Sequence, residues 1–257
     1  MLERITPAII TYNEAPNIGR MLERLAWARE VVVVDSMSTD ETIQIAGGFA
    51  NVRAIEHRFD NLADQWRFAA FETGIKTEWV LRLDADYILP PELIEELGAL
   101  DPGEDVAGYR ARFVYCIHGR PLRASLYPPR VRLFRREKGR FYQDGHSEEL
   151  AIEGTVLDLA HPIHHDDRKP LSRWIAGQDR YMGEEAAKIT DAAYGTLGLP
   201  DRLRRRKWIA PLLVFLYCLF AKGLILDGRA GLYYAYQRTA AEIILALHLM
   251  DRERGDG

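Results

Sequence analysis

Residues 31–34 are four consecutive valines, and this run constrains the fold more than any other feature of the chain. A strand that is covered on one face alternates apolar and polar residues, whereas a strand that is covered on both faces is apolar throughout. Strands of the second kind are typical of parallel sheets that carry helices on both sides. The valine run therefore predicts an α/β fold.

Segments with the patterns of strands and helices alternate on both sides of this run. The order β-α-β-α-β-α-β is typical of a Rossmann-like, mostly parallel sheet flanked by helices. We predict strands at residues 5–11, 31–34, 52–56 and 79–83, with helices between them at about 18–26, 41–46 and 63–74.

The second half of the chain has a different pattern. A helix should follow Pro90-Pro91 to about Leu97, and short aromatic and β-branched runs predict antiparallel strands at 109–117 and 130–134. Residues 144–167 have the composition of a loop-rich region with clustered His and Asp, and the chain from Leu171 onward has the pattern of helices. We therefore predict an α/β domain over residues 1–170 and a helical region over 171–257.

Charge and cysteine usage narrow the possible partners and the compartment. The formal net charge is −4, which gives no reason to expect a nucleic-acid partner. Cys116 and Cys218 have no paired spacing, so a disulfide framework is not expected and a reducing compartment is the simplest interpretation. Residues 1–4 lead into an apolar strand without the features of a secretory signal, and we expect the active site to face the cytoplasm.

Asp84 and Asp86 directly follow the apolar strand at residues 79–83. Ligands of open α/β sheets bind at this carboxyl edge, and carboxylate oxygens suit Mg²⁺ or Mn²⁺ that also contacts a diphosphate. An Asp-x-Asp sequence alone is weak evidence, because it also occurs in solvated turns.

Two other strand ends should open at the same edge of the sheet and supply polar groups for a nucleotide base and ribose. Capping and turn formation are the alternative roles for Asn13 and Asp40. The candidate nucleotide-binding residues are Thr11, Tyr12, Asn13 and Glu14 after the first strand, and Asp35 and Ser36 after the valine strand.

The motifs at these strand ends resemble those of the family 2 glycosyltransferases of GT-A fold. The resemblance covers residues 5–97, and weaker matches at 132–136 and 223–231 are similar to the bacterial lipopolysaccharide-core type of glucosyltransferase. The motifs are Ile10-Thr11-Tyr12-Asn13-Glu14 with Asn17-Ile18, Val33-Val34-Asp35-Ser36 with Ser38-Thr39-Asp40 and Thr42, and Leu83-Asp84-Ala85-Asp86.

This resemblance implies inverting transfer of a hexosyl group from a nucleoside-diphosphate sugar, with uridine diphosphate ahead of guanosine diphosphate. It implies Mn²⁺ or Mg²⁺ on Asp86, Asp84 near both the ribose and the metal, and Glu14 and Asp35 on the nucleotide. A late histidine completes the metal shell in related enzymes, which makes His164 and His165 candidate ligands. A hydrogen-bonded loop is one alternative for these histidines. A zinc-only site is another, but no cysteine accompanies them.

An inverting transfer needs a carboxylate that accepts the proton of the acceptor hydroxyl. The candidates are Asp144, Glu148 and Glu149, with Asp144 favoured because it precedes a glycine in a loop, and with a purely solvated acidic loop as the alternative. Gln65 and Arg67 are candidate contacts to the diphosphate. Arg82 is a further candidate, although its position within a strand also suits pairing with a carboxylate.

Residues 208–226 form an apolar segment with a single charge, Lys222, and follow the basic run 202–207. This composition predicts contact with an anionic membrane, and we expect a helical hairpin at the cytoplasmic face of the inner membrane, peripheral or monotopic. A buried helix and a homo-oligomer interface are the alternatives. The apolar residues of the tail that follows are spaced as in an amphipathic helix: Tyr233, Tyr236, Ala240, Ile244 and Leu247.

A membrane-attached enzyme favours a lipid-linked or lipopolysaccharide-type acceptor of the bacterial cell envelope over a free sugar. Two other functions are compatible with the sequence. A nucleotidyltransferase also uses Asp-x-Asp and a metal, but no glycine-rich phosphate loop follows the first strand. A catalytically silent protein that binds sugar nucleotides or acts as a membrane scaffold is the other.

Overall fold

The computed structural model describes residues 1–144, 147–192, 195 and 197–255, with Asp144, Ser147 and Gly255 described by their backbone only. The described chain forms two compact units. The first contains residues 1–119 and 126–168, and the second contains residues 120–125 and 169–257.

All the strands lie in the first unit except β8, a two-residue strand of the second. They are β1 (Ile5–Thr11), β2 (Val31–Asp35), β3 (Val52–Glu56), β4 (Trp79–Asp84), β5 (Tyr87–Ile88), β6 (Val106–Ala111), β7 (Phe113–Ile117), β8 (Arg120–Pro121), β9 (Arg130–Arg135), β10 (Gly139–Asp144), β11 (Ser147–Ile152), β12 (Thr155–Asp158) and β13 (Ile163–His165), as far as the structure is described.

The helices divide between the two units. The first unit has α1 (Ala15–Glu23), α2 (Thr42–Ala46), α3 (Leu62–Arg67), which continues as a π-helical turn (Phe68–Glu72), and α4 (Pro91–Ala99). The second unit has α5 (Leu171–Asp191), α6 (Leu199–Arg204), α7 (Ala210–Leu216), which continues as a π-helical turn (Tyr217–Ala221), a 3-10 turn (Leu224–Asp227) and α8 (Gly228–Gly255).

The main sheet of the first unit has the strand order β12-β6-β9-β4-β1-β2-β3 in the described chain. β1 pairs in parallel with β2 and β4, and β2 pairs in parallel with β3, as the sequence predicts. β9 lies between β4 and β6 and is antiparallel to both, and β12 adds in parallel to β6. The sheet is therefore mixed, with its parallel half built by the first four strands.

The four valines of β2 are buried on both faces of the sheet, which confirms the prediction made from their sequence. Val31 and Val33 pack in one hydrophobic cluster, with Ile18 of α1. Val32 and Val34 pack in a second cluster on the other face of the sheet, with Trp66 of α3. Successive side chains of a strand point to opposite faces, so an unbroken apolar run is what burial on both faces requires.

The prediction of a loop-rich region at residues 144–167 missed the strands of this segment. β10 and β11 form an antiparallel hairpin, β12 extends the main sheet, and β13 lies between β5 and β7. The polar residues of this region hide its strands from a hydrophobic pattern, and β12 and β13 also pair with strands that lie far away in the sequence.

Helices form the second unit, as predicted from Leu171 onward. α8 packs against α5 and α7, and it buries Tyr234, Leu245 and Leu249. Tyr236 and Leu247, which belong to the predicted amphipathic stripe, are exposed. α8 is therefore apolar on more than one face rather than simply amphipathic.

An ionic cluster ties three helices of this unit together. Arg204 of α6 contacts Glu242 of α8 at 2.9 Å and lies 3.7 Å from Glu185 of α5. Both carboxylates are buried. A buried charge needs a partner of opposite sign, so this cluster fixes how α5, α6 and α8 pack.

The apolar segment 208–226 is broken in the structure. Within the described residues, no single helix has both the length and the apolar character needed to cross a bilayer. Ala210–Ala221 and Leu224–Arg254 meet that criterion only when they are taken together, and the two are bent by 71° at the break.

Candidate active site

The carboxyl ends of β1, β2 and β4 meet at one edge of the main sheet. Thr11 lies opposite Asp35 in the β1–β2 register, and Ile10 lies opposite Asp84 in the β1–β4 register. The polar residues at the ends of these three strands therefore lie close together in space, as the sequence predicts. Ligands bind at this edge in open α/β sheets.

Hydrogen bonds interlock the loops that follow β1 and β2. The Asn13 side-chain oxygen accepts from the backbone nitrogens of Thr39 (2.7 Å) and Asp40 (3.2 Å), and the Asn13 backbone nitrogen donates to Ser38 Oγ at 2.7 Å. Asp35 accepts from the Ser38 backbone nitrogen (2.7 Å) and hydroxyl (2.5 Å). Asn13 also has a positive φ of 54°, which asparagine tolerates better than most residues. Loop formation is therefore a large part of what Asn13 and Asp35 do.

Asn17 joins the β1–α1 loop to the segment after β13. It is fully buried, and its Nδ2 donates to Glu14 Oε2 at 2.7 Å and to Asp167 Oδ1 at 2.9 Å. The Glu14 backbone nitrogen donates to Thr42 Oγ1 at 2.7 Å. Asn17 belongs to the family motif, but the sequence alone predicts no role for it. The feature that could have indicated one is a polar residue on the buried, otherwise apolar face of α1.

Three further candidates lie around the same loops. Thr11 is buried, and its hydroxyl has no hydrogen-bond partner within the described part of the chain. Tyr12 is 51% exposed. Ser36 Oγ accepts from Gln65 Nε2 at 3.0 Å, which places buried Gln65 of α3 beside the β2 loop.

Arg67 lies on the exposed side of α3 and is engaged locally. Its guanidinium contacts Asp64 at 2.5 Å and also pairs with Glu72. The Asp64 hydrogen bond raises the pKa of Arg67. Its side chain is half-exposed, so these ion pairs contribute little to stability.

Asp86 is joined to β13 through His165. His165 Nε2 lies 3.2 Å from Asp86 Oδ2, and the backbone nitrogen of Asp166 donates to the backbone oxygen of Asp86 at 3.0 Å. His165 and Asp86 are both largely buried. The structure thus brings together two candidate metal ligands that are 79 positions apart in the sequence.

Aromatic rings enclose His165. The ring centroids of Tyr87, Tyr115 and Tyr127 lie 5.4, 4.7 and 5.1 Å from that of the imidazole. Burial opposes the charged form of His165, but the nearby carboxylate of Asp86 outweighs it and raises its pKa. This enclosure fixes the orientation of the ring toward Asp86.

His164 differs from its neighbour. Successive residues of a strand point to opposite faces, so His164 and His165 of β13 face opposite sides of that strand. Burial lowers the pKa of His164. Of the two histidine candidates, His165 is the one that contacts the Asp-x-Asp motif.

Arg132 of β9 is a buried cation beneath this motif, and sequence reasoning did not single it out. Its Nη2 lies 3.6 Å from Asp84 Oδ2 and donates to the hydroxyl of Tyr87 at 2.8 Å. Its guanidinium lies over the rings of Tyr87 and Phe113, at 4.9 and 5.1 Å from their centroids. Burial opposes its charge, but Tyr87 and Asp84 together raise the pKa of Arg132. The sequence feature that could have indicated a role for Arg132 is an arginine between two apolar residues of a predicted strand.

The donor set at Asp84, Asp86 and His165 is chemically suited to a hard or borderline divalent cation. Two carboxylates and an imidazole can bind Mn²⁺, and Mg²⁺ accepts a site with few protein ligands when phosphate oxygens supply the others. Among the described residues, no group of three or more His, Cys, Asp or Glu side chains is already arranged around one metal position.

Glu148, one of three base candidates, forms a buried ion pair. Arg82 Nη1 donates to Glu148 Oε1 at 2.8 Å, and the Arg82 guanidinium lies beside the rings of Trp66 and Phe141, at 5.5 and 5.6 Å from their centroids. Burial lowers the pKa of Arg82 to about 10, so it remains protonated at neutral pH. The pairing of Arg82 with a carboxylate is confirmed.

Of the other two candidates for the general base, the structure describes the side chain of Glu149 but not that of Asp144. Glu149 is exposed. Asp144 ends β10, where its backbone pairs with that of Ser147. The side chain of Asp144 and the whole of His146 lie outside the described residues.

Comparison with known proteins decides the family. The model of glycosyl transferase family 2 matches residues 8–146, which is more than half of the chain and contains the three strand ends described above. The chain belongs to glycosyl transferase family 2. The Asp84-Ala85-Asp86 sequence is accordingly the Asp-x-Asp motif of a family member, and the α/β unit has the GT-A-like fold, with a mixed sheet flanked by helices.

Two curated relatives cover most of the glycosyltransferase chain. It is 32% identical over 255 residues to the lipopolysaccharide core biosynthesis glycosyltransferase LpsC of Rhizobium meliloti (strain 1021), with 91% of this chain and 90% of LpsC covered. It is 26% identical over 204 residues to an uncharacterized glycosyltransferase of Rickettsia bellii (strain RML369-C), with 74% of this chain and 68% of that protein covered.

A solved structure shares the fold of this glycosyltransferase. It is the mannosyltransferase PcManGT of Pyrobaculum calidifontis, which was solved in complex with GDP-Man and Mn²⁺. The TM-score is 0.52 at 19% identity, with 97% of this chain and 88% of that chain covered. At this level of identity the likeness shows the fold alone.

Proposed function

We propose that this glycosyltransferase moves a hexosyl group from a nucleoside-diphosphate sugar to a lipopolysaccharide-core or other lipid-linked glycan of the bacterial cell envelope, with inversion at the anomeric carbon. The observation that carries the proposal is the contact of His165 with Asp86 at the end of β4, beside the interlocked loops of β1 and β2. The likeness to LpsC over nine-tenths of both chains supports this class of acceptor.

The donor nucleotide would bind at the carboxyl ends of β1 and β2. Thr11 offers a buried hydroxyl, and Tyr12 offers an exposed ring with a polar tip. Glu14 and Asp35 border this edge, where Asn13 sets the path of both loops. We favour uridine diphosphate, with guanosine diphosphate as the second candidate because PcManGT binds GDP-Man.

Asp86, Asp84 and His165 would hold a divalent cation, as the Mn²⁺ complex of PcManGT suggests for this fold. When bound, the cation would supply positive charge that stabilises the departing diphosphate. Arg132 is too buried to reach solvent, and its positive charge offsets the carboxylate of Asp84 from below. The 3.2 Å contact between His165 Nε2 and Asp86 Oδ2 holds these two candidate ligands side by side.

The acceptor hydroxyl attacks the anomeric carbon from the face opposite the diphosphate. A bond forms between the acceptor oxygen and the anomeric carbon, the bond to the diphosphate oxygen breaks, and the nucleoside diphosphate leaves with the electron pair. The hydroxyl proton moves to a carboxylate. We assign this role to Asp144, because protonation of Glu148 would leave the buried Arg82 cation without its counter-ion.

The test is release of nucleoside diphosphate from a panel of UDP- and GDP-sugars with Mn²⁺ or Mg²⁺, with water as the acceptor. Metal-dependent release, together with inversion of the freed sugar measured by NMR, is the expected result. Asp86→Asn should abolish release. Release of pyrophosphate from nucleoside triphosphates instead would indicate a nucleotidyltransferase, and absence of turnover with every donor would favour a catalytically silent binding protein.

Three matched variants test the base. Asp144→Asn should lower kcat about 10²–10⁴-fold, the usual contribution of a general base, whereas Glu149→Gln should leave it near the wild-type value. Glu148→Gln retains an acceptor for Arg82 and should lower kcat far less than Asp144→Asn. A larger loss of kcat in Glu148→Gln than in Asp144→Asn would assign the general base to Glu148 instead.

A further inference from the structure

The second unit exposes a continuous apolar stripe on α7 and the π-helical turn that follows it. The residues recur at intervals of three and four, which places them on one face of a helix. Leu212 is 61% exposed and Phe220 is 63% exposed. We call this set the α7 stripe: Ile209, Leu212, Leu213, Leu216, Tyr217 and Phe220.

The opposite side of the same segment is packed. Ala210, Cys218 and Leu219 are buried, and Phe215 stacks on Tyr236 of α8 with ring centroids 5.6 Å apart. The segment is therefore anchored to α8 along one side and turns its larger apolar side chains outward. A contiguous exposed apolar surface of this kind marks an interaction site.

The charge around the α7 stripe selects the partner. Residues 202–241 contain eight arginines and lysines and a single acidic residue, Asp227, in a chain whose formal net charge is −4. Two of the eight pair with carboxylates outside this range, Arg204 with Glu242 and Lys207 with Glu253. Asp227 is buried and pairs with Arg123 at 3.0 Å, so it does not offset the positive surface. Arg206 and Arg229 are exposed on the two sides of the stripe in the sequence.

Basic residues beside an apolar face favour a surface that is both negative and apolar. A bilayer that contains anionic lipids has both properties. A second copy of this chain would bring the same basic residues against one another, and like charges oppose such a contact.

Aromatic and basic residues at the ends of the stripe fit the same partner. Trp208 is 80% exposed just before α7, and Lys222 Nζ lies 5.6 Å from the ring centroid of Tyr217 at the other end. Tryptophan, tyrosine and lysine prefer the headgroup region, where an apolar body meets lipid and a polar tip stays in water.

We propose that the α7 stripe and its flanking arginines form a docking surface for an anionic lipid bilayer, with α7 lying parallel to the membrane plane. This goes beyond the transfer reaction, since it concerns where the enzyme is held rather than how it reacts. It would place the active unit at the membrane on which a lipid-linked acceptor is found.

Co-sedimentation of the full chain with vesicles tests the proposal. Wild type should bind vesicles of phosphatidylcholine with about one third phosphatidylglycerol, and should bind pure phosphatidylcholine roughly tenfold or more weakly. In high salt its binding to the anionic vesicles should fall to that of pure phosphatidylcholine. Leu212→Gln/Phe220→Gln should weaken binding to both vesicles at least about tenfold, and Arg206→Glu/Arg229→Glu should weaken binding to the anionic vesicles alone.

Leu157→Gln/Leu171→Gln is the matched control, because both leucines are exposed and lie outside the stripe. It should bind like wild type. The proposal is overturned if wild type stays in the supernatant with anionic vesicles at low salt, or if the stripe variant and the control bind equally. It is also overturned if sedimentation velocity shows a wild-type dimer that the stripe variant converts to a monomer.

Donor hydrolysis without vesicles separates this proposal from the proposed function. The stripe and arginine variants should retain wild-type hydrolysis and thermal stability, because their side chains are exposed and lie in the second unit. Membrane binding without hydrolysis would contradict the transferase, and hydrolysis without membrane binding would contradict the docking surface.

Discussion

The Arg82–Glu148 pair offers the sharpest test of how the first unit is held together. Arg82 is 1% exposed, and Glu148 is 8% exposed. Arg82 Nε also donates to the backbone oxygen of Val131 at 2.9 Å. Arg82→Met retains a long apolar side chain beside Trp66 and Phe141 but leaves the Glu148 carboxylate buried without a counter-ion.

The expected magnitude follows from that geometry. Removal of one partner from a buried ion pair costs about 3–5 kcal/mol, because the remaining charge stays desolvated. For a chain of this size the melting temperature should fall by about 2–4 °C per kcal/mol, or roughly 6–20 °C in total. Arg82→Met/Glu148→Leu removes both charges and should recover most of the loss, to within about 1–2 kcal/mol of wild type.

Urea unfolding followed by circular dichroism, with melting curves as a second readout, measures all three proteins. The single variant should be the least stable, and the double variant should lie between it and wild type. The reasoning is refuted if Arg82→Met costs less than about 1 kcal/mol, or if the double variant is less stable than the single one.

Two other predictions concern the loops around the site. Asn13→Ala removes the acceptor for the Thr39 and Asp40 nitrogens at a positive φ and should lower the free energy of unfolding by about 2 kcal/mol, measured in urea; an unchanged value would contradict the role of Asn13 in the loops. Burial opposes ionisation of Asp166, but hydrogen bonds from Arg168, the Gly119 nitrogen and Arg20 lower its pKa. Its stabilisation should be present above the unfolded pKa of about 3.9 and be lost as pH falls toward the lower folded pKa. The stability gap between wild type and Asp166→Asn should therefore narrow below about pH 4 in urea titrations, and a gap that widens there would contradict this assignment.

The parallel half of the sheet could be predicted from the sequence because its signals are local. The valines of β2 show burial on both faces within four residues, and β3 is observed at Val52–Glu56, as predicted. Asp84 ends, and Asp86 follows, a strand whose apolar run is unbroken except for Arg82. Each of these signals lies within a few residues of the element that it predicts.

Most of the remaining strands depend on partners that are distant in the sequence. β9 enters between β4 and β6 as an antiparallel strand, and β13 pairs with β5 and β7. No local pattern encodes those registers, and the His and Asp residues near β13 favour a loop by composition alone. For the same reason the sequence offered both His164 and His165. They are distinguished only once β13 is known to be a strand, because its neighbouring side chains point to opposite faces.

Arg132 and Asn17 were missed for a related reason. A buried polar residue is favourable only when its partners are present, and those of Arg132 are Tyr87 and Asp84 on other strands. Asn17 bonds to Asp167, which lies 150 residues away. The chemistry of such residues becomes visible once the fold has brought the partners together.

The central claim is that Asp86 takes part in metal-dependent binding of a nucleotide-sugar donor at the end of β4. The most direct measurement is calorimetric titration of uridine diphosphate and guanosine diphosphate, with and without Mn²⁺, into wild type, Asp86→Asn and the control Asp158→Asn, whose carboxylate is exposed and pairs with Arg110 at 2.7 Å. Wild type and the control should bind one nucleotide tightly only with Mn²⁺, and Asp86→Asn should lose that metal dependence. Binding that is unaffected by Mn²⁺ or by Asp86→Asn would contradict the account.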